Sequence, residues 1–202
     1  MAFSSLAEID NYMKENICEF WEAVIREEAR DSQQPEMDIV NRMTQMYRAM
    51  KEADETYDDT LTSHSGLSGK NGKRMADYAA THKCMCGEFG GAVMARAIKM
   101  AESNACMKRI VAAPTAGSCG VVPAILITYE RMTNTSENDM VKALFVAAGI
   151  GDVIARRASI SGARGGCQAE IGASSAMAAG ALAWLKSGSS HLITQAAAMA
   201  LK

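Results

Sequence analysis

Apolar residues recur at helical spacing along nearly the whole chain. Leu6, Ile9, Met13, Ile17, Phe20, Trp21, Val24 and Ile25 fall mostly three or four positions apart behind Ser4 and Ser5, either of which can cap. They predict a first helix reaching about Arg30. Pro35, favoured in a helix's first turn, opens a second with Met37, Val40, Met43, Met46, Tyr47 and Met50 on one face. Methionine fills irregular gaps, so this stripe reads as core packing. Residues 54–72 are polar and carry glycines, which predicts a loop. Further helices are expected over residues 73–81, 88–104, 121–132, 137–155, 167–186 and 191–202. Alternation is poor and alanine abundant, so strand signals are nearly absent. The expectation is an all-α, multi-helix fold in one domain over 1–202.

Composition narrows the function. A net charge of −2 over 202 residues, with no basic stripe, argues against a nucleic-acid partner. Lys70, Lys73 and Arg74 are grouped, and read as a solvated helix start. No apolar run reaches membrane-spanning length, and the first residues lack the pattern of a signal peptide. Six cysteines at irregular spacing then read as reduced thiols in the cytoplasm. Cys84 and Cys86 are too close for the usual two-residue metal spacing, and no matching pair follows.

Two glycine-bearing segments stand apart. Residues 159–172 place three glycines and two serines before Cys167, and a small-residue helix follows. A helix start favours a thiolate, the form that soft metals and iron–sulfur clusters bind. The alternative is a tight turn around a buried structural cysteine. Residues 112–120 repeat the theme: Pro114, Thr115, Ala116, Gly117, Ser118 and Cys119 lead into an apolar helix. The N–H groups there and the hydroxyls of Thr115 and Ser118 suit a carboxylate. Two such loops suggest a polar pocket between helix ends.

The run from Arg109 to Gly120, then Ser159 to Ala163 and Gly166 to Glu170, resembles the α chain of the iron–sulfur-dependent L-serine dehydratases. His64 to Gly69 and Ser175 to Gly180 are similar to two further segments of that family, in the same order. The resemblance implies conversion of L-serine to pyruvate and ammonia, with a [4Fe-4S] cluster as Lewis acid and Cys167 as a cluster ligand. It implies substrate contacts at Ser65, Pro114, Thr115, Ala116, Gly117, Ser118, Ser161 and Gly162. His64 and Glu170 are the candidates for catalysis, with the base left unidentified; His82 and His191 read as structural or exposed. The family's two remaining cluster cysteines lie beyond the equivalent of Lys202, so the resemblance implies a chain truncated before them. The implied partner is a β chain or a second copy, covering a C-terminal helix rich in Ala196, Ala197, Met199 and Leu201. Removal of sulfide from cysteine by a related cluster enzyme, or a non-catalytic helical scaffold, remain the alternatives.

Overall fold

The computed structural model describes residues 3–202. Among them are nine α-helices and no strand, as the periodicity requires. The helices are α1 (Leu6–Asn16), α2 (Phe20–Ser32), α3 (Glu36–Glu55), α4 (Asn71–Ala79), α5 (Gly87–Ala105), α6 (Val121–Thr133), α7 (Glu137–Arg157), α8 (Gly162–Ser187) and α9 (Ser190–Leu201). Packing gathers them into two compact units. One contains the chain up to Tyr47 together with Ser136–Lys202, and the other is Arg48–Thr135. None of these helices is long and apolar enough to cross a membrane.

In the first unit, the single helix expected up to Arg30 is two. Ser5 caps α1, its hydroxyl accepting the Glu8 N–H at 3.2 Å. The helix then ends at Ile17, which takes a left-handed conformation (φ 48°) and stands 93% exposed. A reciprocal capping box restarts the chain: the Glu22 carboxylate accepts the Glu19 N–H at 2.8 Å, and the Glu19 carboxylate accepts the Glu22 N–H. Ile17 keeps the helical spacing while carrying no packing role, which is why apolar periodicity runs through the break.

The methionine stripe of α3 also differs from expectation. In the part of α3 belonging to this unit, Ile39 and Tyr47 are buried, whereas Met37 and Met46 are exposed. Helix α7 buries most of its length, from Met140 to Val153, against α2 and α8. Close approach is possible because facing positions lack side chains. A Cβ on Gly149 would lie 2.6 Å from Val24 Cγ2, and one on Gly151 would lie 2.9 Å from Met177 Sδ. Gly180 of α8 receives the end of Ile150. Helix α9 folds back on α8, burying Ile193 and Ala197 and leaving Met199 and Leu201 exposed.

The second unit is built around α5, with α4 and α6 packed on it. Gly120, at the start of α6, approaches so closely that a Cβ would sit 2.6 Å from the Ala97 carbonyl oxygen. Val122, Leu126 and Ile127 of α6 are fully buried. One nearly buried carboxylate, Asp54, pairs with Arg96 and Arg131 at 3.2 Å each, and Arg96 donates onward to the Thr128 hydroxyl at 3.0 Å. Removing one partner would strand a buried charge, so this network fixes α3's last turns against α5 and α6.

Gly120→Ala should destabilise the chain by about 1–3 kcal/mol, because the atom it meets is backbone and cannot swing aside. Gly180→Ala meets only the rotatable end of Ile150 and gains helix propensity, so its loss should be smaller. Urea unfolding followed by circular dichroism compares the two.

Candidate functional site

In the second unit, two polar loops hang from the last turn of α5. The first runs from the end of α3 to the start of α4. Its tip is closed by its own serines: the Ser63 N–H bonds the Ser68 carbonyl at 2.8 Å, and the Ser63 hydroxyl accepts the Ser68 N–H at 3.1 Å. Gly69 passes so near Leu61 that a Cβ would stand 2.6 Å from its carbonyl oxygen. This folding leaves His64, Ser65 and Leu67 exposed at the tip, the Ser65 hydroxyl 3.2 Å from that of Ser63.

The ends of this loop meet on Glu102, a residue that sequence reasoning did not single out. Its carboxylate accepts from the Tyr57 hydroxyl at 2.6 Å, the Asn71 N–H at 2.8 Å and the Gly72 N–H at 3.0 Å. Glu102 is only 4% exposed. Burial works to raise its pKa, but the bonds from Tyr57, Gly72 and Asn71 outweigh that and hold the carboxyl below its ordinary value. Tyr57 responds in the opposite sense: burial, and then the bond to Glu102, push its phenol up to about 12.

The second loop, over residues 112–120, contains a cis Ala113–Pro114 bond and is organised by Ser118. The Ser118 hydroxyl, in a side chain 1% exposed, lies 3.1 Å from the Thr115 hydroxyl and 3.4 Å from the Ala113 carbonyl. Ser118 therefore shapes the loop from inside, while Ala116 and Gly117 are exposed. Asn104 of α5 holds the Ala116 carbonyl at 3.0 Å. Cys119 points into the packing, its thiol 3.8 Å from the Met100 carbonyl.

In the first unit, residues 159–172 form a distinct polar turn. The Ser159 hydroxyl accepts the Ser161 N–H at 3.2 Å, and the Ser161 carbonyl accepts the N–H groups of Arg164 and Gly165 at 3.1 and 2.9 Å. Gly166 then breaks the helix with φ 77° and ψ 175°, a conformation strained for any residue with a Cβ. Cys167 follows immediately, exposed, in the first turn of the long part of α8. Glu170 reaches back to Gly162, where a Cβ would lie 2.8 Å from Glu170 Oε2. Ser161, Gly162 and Glu170 are thus neighbours, on the same segment as Cys167.

His82 and His191 are exposed. Among the described residues no group of three or more histidine, cysteine, aspartate or glutamate side chains is placed to hold a metal ion. Cys167 alone supplies one thiolate, and one thiolate does not make the ligand set of an iron–sulfur cluster.

The family described as "Serine dehydratase alpha chain" matches residues 15–202. A Bacillus subtilis (strain 168) protein named "Probable L-serine dehydratase, alpha chain" is 34% identical over 200 residues, covering 99% of this chain and 67% of its own length. The "L-serine dehydratase, alpha chain" of Peptoniphilus asaccharolyticus is 34% identical over 197 residues, with 96% and 67% covered. "L-serine dehydratase 1" of Escherichia coli (strain K12) is 42% identical over 107 residues, covering 52% of this chain and 24% of its own length.

Exposure orders the thiols. In the folded chain a maleimide should label Cys86 and Cys167 fast and Cys119 only on unfolding, as read by peptide mass spectrometry. Fast labelling of Cys119 in the native chain would mean that its loop is open.

Proposed function

Because the chain belongs to the serine dehydratase alpha chain family, we propose that it serves as the α chain of an L-serine dehydratase, converting L-serine to pyruvate and ammonia. The observation that carries this reading is the match of nearly the whole chain to relatives bearing that name. The reaction removes the α-proton and the β-hydroxyl of serine as water, leaving aminoacrylate. Its tautomer, an imine, hydrolyses to pyruvate and ammonia.

The chain's own groups suit parts of that task. The Thr115 hydroxyl and the N–H groups of the exposed Ala116 and Gly117 suit a carboxylate, with Pro114 and the buried Ser118 keeping the loop in shape. Ser65, Ser161 and Gly162 are the further contacts proposed for the substrate. His64, exposed on its loop, and Glu170, against Gly162, are the two groups able to move a proton.

A [4Fe-4S] cluster belongs to this reading, with Cys167 as a ligand from this chain. A companion β chain or second copy also belongs to it, as does a reducing cytoplasm in keeping with the exposed thiols of Cys86 and Cys167. The roles proposed for these 202 residues stop at binding, orientation and proton transfer.

The test is anaerobic production of the protein together with its companion chain, with iron content and pyruvate from L-serine both measured. Cys167→Ser should lower iron content as well as turnover, each by about ten-fold or more, since a lost thiolate ligand weakens the cluster itself. Normal iron and normal turnover in Cys167→Ser would remove that assignment. Iron-loaded wild-type protein that makes no pyruvate from L-serine would remove the proposed reaction.

A further inference from the structure

We propose that Glu102 is the positioning residue of the serine site: its one carboxylate holds both ends of the loop that carries His64 and Ser65. The serine part of this proposal rests on the reading above; the clamp itself rests on geometry alone. Tyr57 precedes the loop tip and Asn71 and Gly72 follow it, yet all three donate to the same side chain at 2.6, 2.8 and 3.0 Å. A flexible segment of this length loses entropy when its ends are brought together. Three bonds to one ionised acceptor, stronger than neutral ones, offset that loss.

The start of α4 shows what the carboxylate replaces. Its N-cap residue, Lys70, sits at φ 67° and makes no side-chain cap bond. The first N–H groups of a helix need an acceptor, and a negative charge there also meets the helix dipole favourably. Glu102 supplies both from a different helix. The contact is held from two further directions. Gly72 packs on Lys99, where a Cβ would be 2.6 Å from Cγ, and the Lys99 ammonium lies 5.4 Å from the centre of the Tyr57 ring. Two residues on, Asn104 grips the Ala116 carbonyl at 3.0 Å. One turn of α5 therefore holds both polar loops of this unit, and a shift of that turn moves them together.

Glu102 is not itself suited to carry a proton to or from substrate. It is buried, its carboxylate is already engaged by three donors, and its acidity is shifted away from neutrality. Its lowered pKa means that the clamp is fully present above the ordinary carboxylate range and is lost as pH falls through the lowered value. Tyr57 has the reverse linkage: its contribution is complete below its ordinary value of 10.0 and is lost as pH rises through about 12. The charged groups bearing on that phenol are Glu102, Asp59 and Lys99.

Amide hydrogen exchange on the 202-residue chain tests the clamp, using wild type, Glu102→Gln and Tyr57→Phe. Glutamine keeps only one acceptor oxygen and adds an N–H₂ that faces the same donors. Exchange in residues 58–72 should rise about ten-fold or more in Glu102→Gln, while α7 and α8 stay protected. In Tyr57→Phe the loosening should be confined to the start of the loop, with Asn71 and Gly72 still protected. The Tyr57 phenol, pushed up to about 12 by burial and then by Glu102, should fall toward 10.0 in Glu102→Gln, read by ultraviolet difference against Tyr57→Phe. In the assembled enzyme, Glu102→Gln should raise KM for L-serine by about five-fold or more, with kcat within about two-fold. Unchanged exchange over 58–72 in Glu102→Gln overturns the clamp. Raised exchange, with KM for L-serine unchanged in the assembled enzyme, keeps the clamp and overturns its serine role. Should Glu102→Gln not fold, unchanged exchange in Tyr57→Phe overturns the clamp by itself.

Discussion

Helices in both units approach one another at positions that carry no side chain, and the polar loops inherit their places from that approach. Gly120 lies on the Ala97 carbonyl, and the 112–120 loop leads directly into it. Move α6 outward by the width of a methyl group and the exposed Ala116 and Gly117 move too. In the first unit, Gly149, Gly151 and Gly180 let α7 lie close to α2 and α8. Interiors are packed near crystal density, so such contacts do not yield gradually. The constraint is steric first; the polar chemistry is arranged on top of it.

What the loops add is satisfaction of their own polar groups. Ser63, Ser118 and Ser159 each bond backbone within their own loop, through hydroxyls that a bare sequence motif presents as ligand-facing. Serine side chains compete well for nearby backbone, and here that competition builds rigid turns. The groups left facing solvent are fewer: His64 and Ser65 at one tip, Ala116 and Gly117 at another, Cys167 at a helix start. A loop that keeps its shape without a ligand does not lose ordering entropy when one arrives.

Helix existence and type were legible because apolar spacing is strong and strand signals are weak. Boundaries followed where a cap or breaker was visible, as at Pro35 and at the break beside Gly165 and Gly166. The split between α1 and α2 was hidden because Ile17 has the right chemistry and spacing for a helix face while standing in solvent. The clue was Glu19 with Glu22 three residues on, a capping pair embedded in an apolar run. Met37 and Met46 misled for a related reason: periodicity reports a face, and only packing decides how much of it is covered. Glu102 was out of reach altogether. In sequence it is one more acid in a helix, and its partner Tyr57 lies far back along the chain. The motif residues could be named from their pattern, but not the side chain that holds one of their loops shut.

The division of the chain into units has a consequence for its synthesis. Arg48–Thr135 is one uninterrupted stretch, whereas the other unit is assembled from sequence on either side of it. Helices α1 and α2 leave the ribosome before the inserted unit, yet α2 packs on α7, which is made only after it. At about 5–20 residues per second, Phe20 and Val24 wait roughly 6–27 seconds for the helix that covers their side of the core. The inserted unit can close in that interval, while the N-terminal helices remain sticky. Nascent chains of this protein therefore carry this aggregation risk in α1 and α2 and shed it only when α7 emerges.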